Sequence, residues 1–120
     1  MTPQQSQAEF CDDSNAVLQV LTTVASEADA RRLARALVER RVAACVQIDA
    51  AIRSVYRWQD QVCEESEYRL LAKTTAARFS ALQECFQELH PYDLPEIVAT
   101  PIACGSEAYL QWIADEVKPH

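Results

Sequence analysis

Two imidazoles and five thiols are the side chains of this 120-residue chain best suited to soft or borderline metal ions. The thiols are Cys11, Cys45, Cys63, Cys85 and Cys104, and the imidazoles are His90 and His120. Their spacing matches neither a zinc knuckle nor a disulfide framework, and the odd count reads as free cysteines in a reducing compartment. A single copy of the chain therefore builds no strong site by itself. His90 is the best single ligand candidate, with Cys45 and Cys85 as the thiols to join it. The plainer role of each thiol is a small buried hydrophobe, since Cys45 starts an apolar strand and Cys85 lies within a helix. For His90 the plainer role is to face the free carbonyls of a helix C-terminus. A thiol beside an imidazole is also a nucleophile with its base, but no local pattern joins one to an oxyanion site, and the chain is read as a non-enzyme.

A second group of residues suits a cleft or a contact between subunits. Lys73 and Glu67 share one alternating face of a strand, and Glu96 follows Pro95 at the start of another. These charges are placed for an ion pair, solvated or structural, near a subunit boundary. Tyr56, Trp58 and Tyr92 combine apolar rings with polar tips, which suits an intersubunit contact first and a pocket wall second.

Composition removes several alternatives. At 49% hydrophobic and 24% charged, the chain reads as one domain with one core. A formal charge of −7 opposes nucleic acid and anionic membranes as partners. The lone glycine, Gly105, excludes the glycine-rich loops that cradle phosphates, so no nucleotide or organic cofactor is expected. No apolar run approaches the roughly 20 residues of a membrane span. Residues 1–13 lack the basic start and apolar centre of a signal peptide, so a cytoplasmic protein is expected.

The elements that must position these residues follow from periodicity. Residues 1–15 offer little to bury and are expected as a disordered tail, leaving 16–120 as the domain. Ala16–Val24 is apolar on both registers, as in a central strand. Ser26 and Asp29 make a capping-box-like start to a helix with Ala30, Leu33, Ala34, Leu37 and Val38 on one face, and Arg40 and Arg41 suit its C-terminal dipole. Ala43–Trp58 reads as one long strand with a bend or bulge near Asp49, joined by a hairpin to Val62–Thr74. Thr75 is placed to cap a second helix, carrying Phe79, Leu82, Phe86 and Leu89 and stopped by Pro91 near His90. Glu96–Ala103 is a fourth strand with Pro101 at an edge or end. A third helix opens at Gly105 and Ser106 and is expected to dock by its aromatic side, Tyr109 and Trp112 with Ile113 and Val117.

The order β-α-β-β-α-β predicts an α+β, ferredoxin-like sandwich with an extra C-terminal helix, both main helices lying on one face of an antiparallel sheet. The first strand is apolar on its other face too, so a cyclic homo-oligomer is expected to cover that face and pair the hairpin with a neighbour's edge.

Five motifs carry a resemblance: Ala43-Ala44-Cys45, Tyr56-Arg57-Trp58, Lys73-Thr74, His90-Pro91-Tyr92 followed by Pro95-Glu96, and Tyr109-Leu110-Gln111-Trp112. In this order, from about Val17 to the C-terminal helix, the chain resembles the CutA divalent-cation tolerance family. The resemblance implies a trimer of ferredoxin-like subunits with sheets facing inward, a part in tolerance of copper and other divalent cations, and no securely attached reaction. Copper-binding relatives have a thiol in strand one and two adjacent histidines before the Pro-Tyr. This chain has Thr22 and the pair Leu89-His90 there, so only His90 carries over. The family usually has glycine two residues after the Trp, where this chain has Asp60, and a different turn backbone is expected.

The leading reading is a cytosolic homotrimer in the response to metal ions, holding copper or another divalent cation weakly through His90 with thiols or carboxylates of adjacent protomers. The alternative is a module similar in architecture to the PII regulators, taking a small anionic ligand in its intersubunit clefts without catalysis.

Overall fold

The computed structural model describes residues 16–119, so the expected tail, Cys11 and His120 lie outside the described residues. Strand β1, Val17–Val24, lies between β3, Gln61–Thr75, and the edge strand β4, Val98–Pro101. β2, Cys45–Trp58, forms the other edge, giving the antiparallel order β2-β3-β1-β4. Helices α1, Glu27–Glu39, and α2, Phe79–Leu89, pack their apolar stripes on one sheet face. That core joins Leu18, Val20 and Val24 of β1 and Leu70 and Ala72 of β3 to Leu33 and Leu37 of α1 and Leu82 and Phe86 of α2. Among the described residues no helix is long and apolar enough to cross a membrane.

Local chemistry explains where the elements begin and end. The Ser26 hydroxyl accepts the Asp29 amide at 3.1 Å and caps α1 as the sequence suggests. The amides of Val42 and Ala43 both donate to the Leu37 carbonyl, at 3.0 and 3.2 Å, and close the helix end. Strand β2 therefore starts at Cys45, two residues later than periodicity predicts. Arg40 pairs with Glu88 at 2.7 Å, and Arg41 donates to the Glu116 carbonyl at 3.0 Å. Thr75 is corrected from helix cap to last strand residue: the Ala76 amide donates to the Ala16 carbonyl at 2.9 Å, and a 3-10 turn, Ala76–Arg78, precedes α2. Strand β4 is shorter than the expected 96–103, because it pairs only with residues 18–21 of β1 and ends at Pro101, on an edge where a missing amide is harmless.

The C-terminal helix α3, Glu107–Glu116, packs against β3 and β1. It docks by Ile113, with Val117 just beyond it; both are buried outside the main core. Tyr109 and Trp112 do not dock as expected; they stack on each other with centroids 5.6 Å apart and stay 42% exposed.

Gln59 and Asp60 have φ of 50° and 64°, both left-handed, as a two-residue hairpin turn of the right twist demands. Asp60 thus keeps the conformation that glycine favours, with a side chain that strains it. Asp60→Gly is expected to raise unfolding free energy by about 1 kcal/mol, read from denaturant melts. A destabilised variant would show that the turn does not hold this backbone.

Candidate functional site

The site grows from the overhang of the hairpin. Strand β1 ends opposite Tyr68, so β3 residues 61–67 and β2 residues 52–58 continue as a two-stranded arm beyond it. Between Asp49 and Ile52 the register slips by one residue, a β-bulge. Side chains alternate along a strand, so the extra residue reverses which set faces which side. Cys45, Gln47 and Asp49 pair with Lys73, Leu71 and Arg69 on the face away from α1 and α2; past the bulge it is Ile52, Ser54, Tyr56 and Trp58 that join that face. Tyr56 and Trp58 are thereby brought to the same side as Glu65 and Glu67.

The loop after α2 closes the cleft. Pro91 ends the helix, and His90 turns to extended backbone at ψ 132°. Tyr92 then reaches β3, where its hydroxyl donates to Glu67 Oε2 at 2.7 Å. A cleft of about 630 Å³ lies between arm and loop, lined by Tyr56, Trp58 and Tyr92, by Glu65, Glu67, Asp93 and Glu96, and by Thr23 and Leu94 among others. Desolvation first, then the hydrogen bond to Glu67, pushes the Tyr92 phenol up. Tyr56 moves the same way, from desolvation first and then from Glu65.

Five of the six residues named from sequence for a cleft or contact meet here, and Lys73 does not. It lies about 20 Å along β3 from Glu67 and donates to Gln47 Oε1 at 3.1 Å, so the two form no ion pair. Arg69 and Asp49 make the nearby pair instead, at 2.6 Å. Sequence reasoning missed Glu65, Asp93 and Leu94; the alternation of Glu65 with Glu67 was a usable signal, whereas nothing local placed the loop residues against the arm.

His90 is held from both sides. Its Nδ1 accepts the Tyr92 amide at 3.1 Å, which leaves the ring proton on Nε2, donated to Thr22 Oγ1 at 2.9 Å. The ring thus meets β1 at Thr22 and does not turn back onto the carbonyls of its own helix. Cys85 is buried in α2 with its thiol 3.9 Å from Arg40, and desolvation raises its pKa. Cys45 is half-buried on the opposite sheet face. His90, Cys45 and Cys85 do not converge, and among the described residues no three His, Cys, Asp or Glu side chains form a metal-holding group.

Burial lowers the His90 pKa from its ordinary 6.5; nearby Arg32 acts in the same sense, while the Thr23 backbone, Asp29 and Glu67 oppose it. The unfolded chain then binds a proton that the folded chain refuses, so stability is full above about pH 6.5 and falls as pH drops below it. Denaturant melts between pH 7.5 and 5 are expected to show this loss, with a flatter profile in His90→Gln. Identical profiles would remove His90 as its source.

Comparison with known proteins covers nearly the whole described domain. A family model described as CutA1 divalent ion tolerance protein matches residues 18–116. The divalent-cation tolerance protein CutA of Thermus thermophilus is 53% identical over 96 residues, 80% of this chain and 93% of that one. Its solved structure superposes with a TM-score of 0.81 at 51% identity, covering 83% of this chain and 97% of that chain. The protein CutA of Homo sapiens is 38% identical over 91 residues, 76% of this chain but 51% of that one, so the chain spans about half of its length. The crystal structure of CutA1 from Oryza sativa gives a TM-score of 0.84 at 34% identity, covering 88% of this chain and 96% of that chain.

Proposed function

The chain belongs to the CutA1 divalent ion tolerance family, and from that membership we propose a cytoplasmic, homotrimeric protein of the response to metal ions that binds copper or another divalent cation weakly. The observation that carries this reading is the identity of 53% with a relative named for divalent-cation tolerance, over 80% of this chain. The surface supports an oligomer: Trp58, Val98 and Leu94 are 44%, 48% and 72% exposed, and β2 and β4 each present an unpaired edge. Threefold association covers these groups and brings ligands of adjacent protomers together. A weak cation site fits a chain whose own ligand candidates stay apart and whose His90 must give up a hydrogen bond to coordinate. No catalytic step is assigned. The acidic cleft lining opposes the anionic ligand that a PII-like role needs.

Isothermal titration with copper(II) and zinc(II) is expected to show weak binding that His90→Ala abolishes. A null curve for both proteins overturns the cation site. Ultracentrifugation at micromolar concentration is expected to give a trimer, and a folded 13.5 kDa monomer overturns the assembly.

A further inference from the structure

The loop between α2 and β4 is tied down through a single residue. Among the described residues, segment 91–97 makes no backbone-to-backbone hydrogen bond and no salt bridge. Its two hydrogen bonds both belong to Tyr92: the amide donates to His90 Nδ1 at 3.1 Å, and the hydroxyl donates to Glu67 Oε2 at 2.7 Å. Pro91 and Pro95 have no amide to add. Ile97, at the far end of the segment, packs against the core, while Leu94 is exposed. The hold of this loop on the body of the chain therefore depends on which His90 nitrogen carries a lone pair.

A neutral imidazole offers one ring lone pair for bonding, and in His90 the Tyr92 amide uses it. Nε2 carries the ring proton and donates it to Thr22 Oγ1. A cation that takes Nδ1 occupies that lone pair directly. A cation that takes Nε2 displaces its proton to solvent, and the neutral ring takes one up at Nδ1, where it faces the Tyr92 N–H as donor against donor. By either route the Tyr92 amide loses its acceptor. We infer that coordination of a divalent cation at His90 releases the 91–97 loop, so that an occupied imidazole is converted into a loosened segment of chain. The inference rests on the cation reading above and adds what occupation does. Tyr92 reaches Glu67 on the sheet face that threefold association covers, so the release is a loosening within the assembly and requires no open cleft.

The test is hydrogen exchange at the Tyr92 amide, followed by nuclear magnetic resonance on the full chain in its native assembly. Zinc(II) is the probe, and calorimetry at the same neutral pH measures its binding. Zinc saturation is expected to speed exchange at Tyr92 about 3- to 10-fold, with the midpoint of the calorimetric curve. Amides in the middle of β1 are expected to keep their rates, which separates loop release from general unfolding. Without zinc, His90→Ala is expected to show the fast rate. His90→Asn, whose Oδ1 takes the place of Nδ1 and accepts the same amide, is expected to keep the slow rate with or without zinc. Tyr92→Phe removes the bond to Glu67, leaves less to break, and is expected to bind zinc about 3- to 10-fold more tightly. Far-UV circular dichroism and sedimentation establish that each variant keeps its structure. Absence of zinc binding overturns the cation reading and the release with it. Zinc binding with an unchanged Tyr92 rate overturns the release alone, as do a slow rate in folded His90→Ala, a fast rate in folded His90→Asn, or an unchanged zinc affinity in Tyr92→Phe.

Discussion

Phe86→Ala is expected to lower the unfolding free energy by about 3–5 kcal/mol. Phe86 is 1% exposed on the inner face of α2, within the core formed with β1, β3 and α1. Truncation removes the transfer free energy of the ring and leaves a cavity that neighbours anchored in a sheet close only in part. The ring also meets the His90 imidazole edge-on, with centroids 6.0 Å apart. Its loss lets water approach that ring, so the pH dependence assigned to His90 should shrink in the same variant. Guanidinium melts followed by circular dichroism measure both effects. A loss under 1 kcal/mol would show that Phe86 does not occupy the centre of the core.

Thr74→Val is expected to cost about 1–3 kcal/mol although it changes neither shape nor volume much. Thr74 is fully buried, and its hydroxyl donates to the Val42 carbonyl at 2.7 Å. Valine fills the same space and leaves that carbonyl without this donor, in the segment that carries the chain from α1 into β2. Local unfolding of that segment should follow, seen as faster amide exchange at residues 42–44 than in wild type. An unchanged melt and unchanged exchange would show that the bond contributes nothing net.

Much of the fold was legible because it rests on short-range regularity. The stripe Ala30, Leu33, Ala34, Leu37 and the Ser26 cap define α1 within fourteen residues, and the structure places them as read, whereas Val38, expected on the same stripe, lies at its edge and is exposed. The stripe of α2 and the stop at Pro91 were equally local. Misreadings came where distant groups compete for one backbone amide or one face. Ala43 looked like strand because it is apolar, yet its amide closes α1. Tyr109 and Trp112 were expected to share the docking face of α3 with Ile113 and Val117, yet of the four the last two alone are buried there.

The same division holds for the candidate site. Sequence by itself determined which chemistry was at hand: aromatic residues in two places, acidic residues along β3, and a histidine ahead of a proline. It also determined the order and type of the elements, because strand and helix periods are read within a few residues. Tertiary structure alone decided that Tyr56 and Trp58 share a face with Glu65 and Glu67, since a one-residue bulge inverts the alternation of everything after it. It alone decided that Tyr92 bonds Glu67 across twenty-five residues of chain, that His90 spends both nitrogens on Tyr92 and Thr22, and that Lys73 stays away. Those contacts depend on where a loop lands once the core has packed, and no local period records that position.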